Sequence, residues 1–206
     1  MERLSPRAQA KRQQITNAAR SLFLSQGFAR TTMDAVTAEA GVSKQTLYAY
    51  FPSKTDLLVA ILSDAQQALP TATGVRPPAS REELRELLVG FGERLMDTML
   101  TDDVIAVLRL LLGEAVHLPE LRPTFLEALP LQLLGRARAI LEAAAANGVV
   151  RLDHPDVSVR MLVGPLMSYV IFGGLMASGP PQRPTADTVE WLVDAYLRTL
   201  DFRETP

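Results

Sequence analysis

The chain has no cysteine. That excludes disulfides, thiolate nucleophiles, cysteine-ligated zinc and any thiol redox sensor. Histidine is nearly as scarce, with two in 206 residues, and aromatic residues make up 6%. There is no Ser-His-Asp set, phosphate-binding loop or glycine-rich dinucleotide turn, so neither a catalytic residue nor a cofactor is expected. Glu114 and His117 have the E-x-x-H spacing of di-iron bundles, but such sites require two of these pairs and further glutamates. The other histidine, His154, stands beside Asp153 and Pro155 in a loop, and no metal site is expected. Long apolar runs are few. "MLVGPLMSYVIFGGLMA" (161–177) is uncharged over 17 residues, the short limit for a membrane span, and it contains Pro165, Ser168, Gly173 and Gly174. A soluble helix buried on two sides has the same composition, so no membrane association is expected. The amino terminus is basic without an apolar region behind it, so no secretory signal is expected either. A cytoplasmic location agrees with all of this.

What is present is an ordinary globular mix, 48% hydrophobic and 21% charged, in a chain long enough for one large or two small domains. The charge is unevenly placed. Residues 1–56 hold eight basic side chains (Arg3, Arg7, Lys11, Arg12, Arg20, Arg30, Lys44, Lys54) and four acidic ones (Glu2, Asp34, Glu39, Asp56). Their balance is +4 against −2 for the whole chain, which leaves −6 on the remainder. The front end is therefore the part suited to a polyanion, although chance variation of a solvated surface would give the same split.

Helical signals run through nearly every segment. Ser5-Pro6 is a cap with proline at the first helical position, and Ile15, Ala18, Ala19, Leu22 and Phe23 recur at helical spacing until Gly27. Thr32 opens a short second helix with Met33, Val36 and Ala40 inward, Ser43 opens a third that Pro52 ends, and Ser53 with Asp56 caps a fourth. "PTATGVRPPAS" (70–80) is a loop. Ser80 with Glu83 caps a helix to about Leu100, Thr101 another to Pro119, and a long helix from Pro123, bent at Pro130, ends at Asn147-Gly148. Pro155 begins the penultimate helix, interrupted at Gly164-Pro165, and the last runs from Ala186 to Phe202. No convincing strand is found. The fold expected is all-α with about nine helices. A front helix-turn-helix domain (1–56) precedes a helical ligand-binding and dimerisation domain (57–206).

"GVSKQTLYAYFPSK" (41–54) gives the front domain its character. Leu47 and Phe51, four apart, hold one face of the third helix to the bundle. Lys44, Gln45, Thr46, Tyr48 and Tyr50 are left facing outward, next to the Ser43 cap. A short helix, a glycine turn and a second short helix have helix-turn-helix proportions, and such a helix fits the major groove. Lys54 and the free amides at the starts of helices two and four suit phosphate. Packing within the small bundle is the plainer alternative for Tyr48 and Tyr50, and a solvated face for Arg7, Lys11, Arg12, Gln45 and Thr46.

The run "FARTTMDAVTAEAGVSKQTLYAYFPSKTDLLVAIL" (28–62) resembles the DNA-binding domain of the TetR family of bacterial transcriptional regulators. The resemblance implies a homodimer on two operator half-sites and a ligand-binding C-terminal domain. It assigns backbone contacts to Thr32, Tyr50 and Lys54, and recognition-helix roles to Lys44, Gln45, Thr46 and Tyr48. "RLLLGEAVHLPELRPTFLEA" (109–128) is similar to the AefR-type C-terminal domain, with His117-Leu118 where an aromatic is usual. The function expected is a repressor released from a palindromic operator by a small, largely apolar effector. An activator on the same fold and a helical interaction protein that binds no DNA are the alternatives.

In the back half, Met96, Met99, Phe125, Leu129, Met161, Met167 and Phe172 are candidate lining for an apolar pocket between bent helices, or plain core. Val189, Leu192, Val193, Tyr196, Leu197 and Leu200 share one face of the last helix, with Trp191, Ala195 and Phe202 opposite. Together with Tyr169 and Gly173 of the penultimate helix, these three are the candidate dimer interface, with Trp191 as its anchor.

Overall fold

The computed structural model of the chain describes residues 5–67, 76–117 and 130–202, the side chains of 62–67, 114–117 and 130–131 apart. Among the described residues there are nine α-helices, one π-helical segment and two strands of two residues each. The helices are α1 (Pro6–Gln26), α2 (Met33–Ala40), α3 (Lys44–Tyr50), α4 (Lys54–Gln67), α5 (Arg81–Met99), α6 (Asp102–His117), α7 (Pro130–Ala146), α8 (Pro155–Ser168) and α9 (Ala186–Leu197). The chain forms two compact units: Met1–Gln67 with Ala106–Ala128, and Ala68–Ile105 with Leu129–Pro206.

In the front unit the capping residues fall where the local chemistry requires them. Ser5, Thr32 and Ser43 each accept a hydrogen bond from an amide three residues on. Ser53 does the same for Asp56 and also donates its hydroxyl proton to the Asp56 carboxylate at 2.7 Å. Gly27 closes α1 at φ 86° and Gly41 closes α2 at φ 60°, backbone conformations costly for any residue with a Cβ. α3 has only seven residues and could not persist alone. Leu47 and Phe51 hold it, buried with Ile15, Ala19, Phe23, Val36 and Ala40. Burial of each such large side chain is worth about 1.5–3 kcal/mol. Leu57, Leu58, Ala60 and Ile61 of α4 pack in the same core, as do Val107 and Leu111 of α6. The front unit thus extends beyond residue 56.

The back unit packs α5, α7, α8 and α9. Ser80 caps α5, and Glu83 reaches back to the Ala79 amide at 2.7 Å, one residue before the Ser80 amide that the expected box would use. Arg85 of α5 grips α9, donating from Nε to Asp194 at 2.7 Å and from an Nη to Glu190 at 2.8 Å. Thr101 accepts from Val104 at the start of α6. α7 ends before Asn147, with Gly148 at φ 74°. The described helix begins at Pro130, and the expected stretch before it lies outside the described residues.

Three expectations are corrected. Helix α8 is not interrupted at Gly164-Pro165 but continues through them to Ser168, because one missing N–H leaves most of the ladder intact. The winding instead widens at Tyr169–Leu175 into the π segment. The final helix stops at Leu197 rather than Phe202. Residues after it turn, and Asp201–Phe202 pair antiparallel with Val150–Arg151, a short bridge where no strand was expected. Phe202 is therefore off the helix, its ring beneath the Arg81 guanidinium at 4.4 Å.

Candidate nucleic-acid interface

The turn between α2 and α3 is built from the backbone up. Gly41 adopts the left-handed conformation, its amide and that of Val42 return to carbonyls of α2, and Ser43 then caps α3. The hydroxyls of Ser43 and Thr46 share a hydrogen bond of 2.8 Å that either can donate, and Ser43 also accepts from the Thr46 amide. Leu47 is fully buried, while Lys44, Gln45 and Tyr48 are exposed, Tyr48 at 48%. Tyr50 is half-buried and leans on the core with its ring 6.5 Å from that of Phe51. The single buried position of α3 thus faces the bundle and its polar side chains face away.

Lys44 is the basic side chain of this face. Its ammonium lies 2.8 Å from Asp34, and the hydrogen bond and charge of that carboxylate raise its pKa. Both side chains are 66% exposed, so the pair is weak and open to exchange for another anion. Lys54 is different. Its ammonium donates to the carbonyls of Phe28, Ala29 and Thr31 at 2.6, 3.2 and 2.9 Å. Thr32 is exposed and its hydroxyl accepts from the Ala35 amide. The starts of α2 and α4 each commit one amide to their own cap. Arg7, Lys11 and Arg12 lie within α1. Lys11 donates to Gln14, and Arg12 lies over the Phe51 ring at 5.5 Å.

The candidate pocket and dimer residues are sorted by helical phase. Val159, Leu162, Val163, Leu166 and Val170 are buried and share one side. Val157, Met161, Ile171, Phe172 and Met176 are exposed, Phe172 at 69% and Met176 at 71%. Met161 and Phe172 therefore do not line an interior pocket: about 200° of helical rotation separates Met161 from Val159, given 3.6 residues per turn. Met96 and Met99 are buried and Met167 is half-buried, while Phe125 and Leu129 lie outside the described residues. Met96 lines a cleft of about 320 Å³ with Glu93, Asp97, Arg183, Pro184, Ala186 and Val189. On its wall Arg183 donates to Asp97 at 2.9 Å. That cleft is more polar than the lining the sequence led us to expect.

Trp191 is 63% exposed, on the side of α9 away from buried Val189, Val193 and Tyr196. Ala195 and Tyr169 are half-buried. Gly173 does not serve an open face as expected. The Gln182 amide donates to its carbonyl at 2.8 Å, and a Cβ added there would lie 2.8 Å from the Gln182 oxygen. The close approach is thus to the chain's own loop. By length and composition only, a test that the core helix of a soluble protein also passes, Pro155–Leu175 is long and apolar enough to cross a membrane, and 33% of its most apolar 18-residue window is buried.

The same organisation recurs in known proteins. Residues 15–61 match the model of bacterial regulatory proteins of the tetR family, and residues 86–200 match that of the AefR-like transcriptional repressor C-terminal domain. An uncharacterized HTH-type transcriptional regulator of Mycobacterium bovis is 29% identical over 179 residues, which is 85% of this chain and 80% of that protein. The solved structure of the flavonoid-responsive regulator FrrA is 31% identical with a TM-score of 0.69, over 95% of this chain and 100% of that one. A TetR transcriptional regulator from Agrobacterium tumefaciens is 27% identical with a TM-score of 0.74, over 95% and 94% of the two chains. Regulators of this kind bind DNA operators and small molecules. With its outward-facing third helix matched by one model and more than half its length by the other, this chain belongs to the TetR family of bacterial transcriptional regulators and carries an AefR-like C-terminal domain.

Proposed function

We propose that the protein is a cytoplasmic, homodimeric repressor that binds a palindromic operator and is released by a small, largely apolar effector. The observation that carries this reading is α3, anchored by Leu47 and Phe51 while Lys44, Gln45 and Tyr48 stay free of the core. Gln45 suits base edges, the Lys44 ammonium a base edge and a neighbouring phosphate, and the Tyr48 ring a thymine methyl. Thr32, Ser43, Thr46 and Tyr50 supply hydroxyls for phosphate or base. The AefR-like repressor match supports the negative sign. Likeness to a flavonoid-responsive regulator supports a flat aromatic effector.

Two copies of α3 reach successive major grooves only if a dimer holds them roughly 34–36 Å apart. The exposed Met161, Phe172, Met176 and Trp191 supply the apolar surface for that pairing. Met96, Met99 and Met167, with Phe125 and Leu129, remain our candidates for the effector's apolar contacts. The effector releases DNA to the extent that it binds the DNA-free state better, and operator opposes effector by the same factor.

The test is footprinting of the purified protein on the DNA flanking its own gene, with and without planar aromatic compounds. A two-fold symmetric footprint, lost with effector and weakened steeply by salt, is the expected result. No preferred duplex in a randomised selection, together with a monomer at micromolar concentration, would overturn it.

A further inference from the structure

The turn between α1 and α2 leaves three main-chain carbonyls outside either helical ladder, and all three converge on one ammonium. Lys54 Nζ donates to Phe28, Ala29 and Thr31 at 2.6, 3.2 and 2.9 Å and lies 4.4 Å from the centre of the Phe28 ring. An ammonium has three protons, and here three carbonyls receive them. The turn is tightened further by Thr31, which is buried and donates its hydroxyl proton to Gly27 at 2.8 Å. Phe28 is pinned by the edge of Phe23 at 5.1 Å. Thr32 follows directly and starts α2.

We infer that Lys54 is a positioning residue for operator binding: it holds the α1–α2 turn, and through the Thr32 cap the start of α2, instead of giving its charge to a phosphate. This rests on the reading of α3 as the recognition helix. To reach a phosphate, Lys54 would have to leave the part-buried carbonyl of Thr31 without its donor and that of Phe28 with only the Thr31 amide, a cost set by desolvation. Lys44 faces no such cost, because its exposed partner Asp34 is readily rehydrated. Geometry therefore divides the two lysines near the interface into one that contacts and one that positions.

The experiment compares operator affinity against potassium chloride concentration for the wild-type chain, Lys54→Met, Lys54→Arg and, as a control, Lys44→Met. Each phosphate contact removed lowers the slope of log Kobs against log salt by about 0.9. Lys54→Met is expected to lose at least tenfold in affinity with its slope unchanged, and Lys54→Arg should not restore it, since a planar fork cannot converge on three carbonyls. Lys44→Met should lower the slope. A lowered slope in Lys54→Met, rescue by arginine, or unchanged affinity would each overturn the inference. Because Lys54→Met could melt the front unit, the side-chain ammonium resonance of Lys54 is also followed in the wild-type protein. It should stay unshifted when operator is added, and a shift to a phosphate-bound position would refute the inference. If the wild type itself selects no duplex, the regulatory reading fails and this inference falls with it, whereas a wild type that binds its operator while the Lys54 variants fail the pattern above overturns the inference alone.

Discussion

Gln14 donates from Nε2 to the carbonyl of Ala40 at 2.6 Å, so a side chain in the middle of α1 closes the last turn of α2. Lys11 donates to the other end of the same amide at 2.9 Å, which fixes the direction in which its NH2 points. The end of α2 is thus set by a residue 26 positions earlier. Gln14→Ala leaves the Ala40 carbonyl without that donor and should cost about 1 kcal/mol. Gln14→Glu should cost more, because a carboxylate cannot donate. Urea unfolding midpoints check both, and an unshifted midpoint for the glutamate variant would contradict the assignment.

On α3, stability and DNA affinity should separate by position. Gln45→Ala and Tyr48→Ala touch exposed side chains and should leave stability within about 0.5 kcal/mol of wild type. Each should still weaken operator binding by about 1–3 kcal/mol. Leu47→Ala should do the reverse at the first step, destabilising the fold by about 2–5 kcal/mol. Paired thermal melts and gel-shift titrations read both quantities; equal operator affinity for Tyr48→Ala and wild type would remove that residue from the interface.

The exposed side of α8 and its π extension should be the association surface. Phe172→Asp and Trp191→Asp place charge on side chains already 69% and 63% exposed, so the protomer fold should survive. Association should lose at least about 2 kcal/mol for each anchor. Sedimentation velocity of the double variant is expected to give a monomer with wild-type circular dichroism. A dimer of undiminished strength would mean that another surface is used.

Tyr196 carries a pH dependence with a definite sign. Its hydroxyl is buried with no hydrogen-bond partner among the described residues, and burial pushes its pKa up to about 12, with the nearby Ser158 side chain opposing. The protonated phenol is thus favoured in the folded state. Its contribution is fully present below the ordinary tyrosine pKa near 10 and is lost as pH rises toward 12. Tyr196→Phe should remove that alkaline loss. At pH 7 it should leave stability unchanged or raise it by about 1 kcal/mol, since no bond is broken. Denaturant midpoints across pH 9–12 make the comparison, and parallel curves for the two proteins would contradict it.

The front unit was readable because its signals are local. Ser5, Thr32, Ser43 and Ser53 each cap within three residues, and the glycines at 27 and 41 end helices by a backbone requirement. Lys54 is ambiguous for the opposite reason. Its partners are 23 to 26 residues away, and a lysine at a helix start reads equally as a phosphate donor or an internal tie. Met161 and Phe172 failed on phase: the buried series from Val159 to Val170 assigns them outward, and composition alone had drawn them into a pocket. Phe202 failed because the end of α9 depends on pairing with residues 150–151, fifty positions back. No local pattern carries that.

The chain contains one tryptophan, Trp191, and its indole stands largely in water on α9. Intrinsic emission therefore comes from a single known place. If a second copy covers it, the spectrum should move to the blue and the indole should resist acrylamide quenching, and both changes should reverse on dilution. The self-association constant could then be measured on unlabelled protein, at concentrations where scattering methods lose their signal.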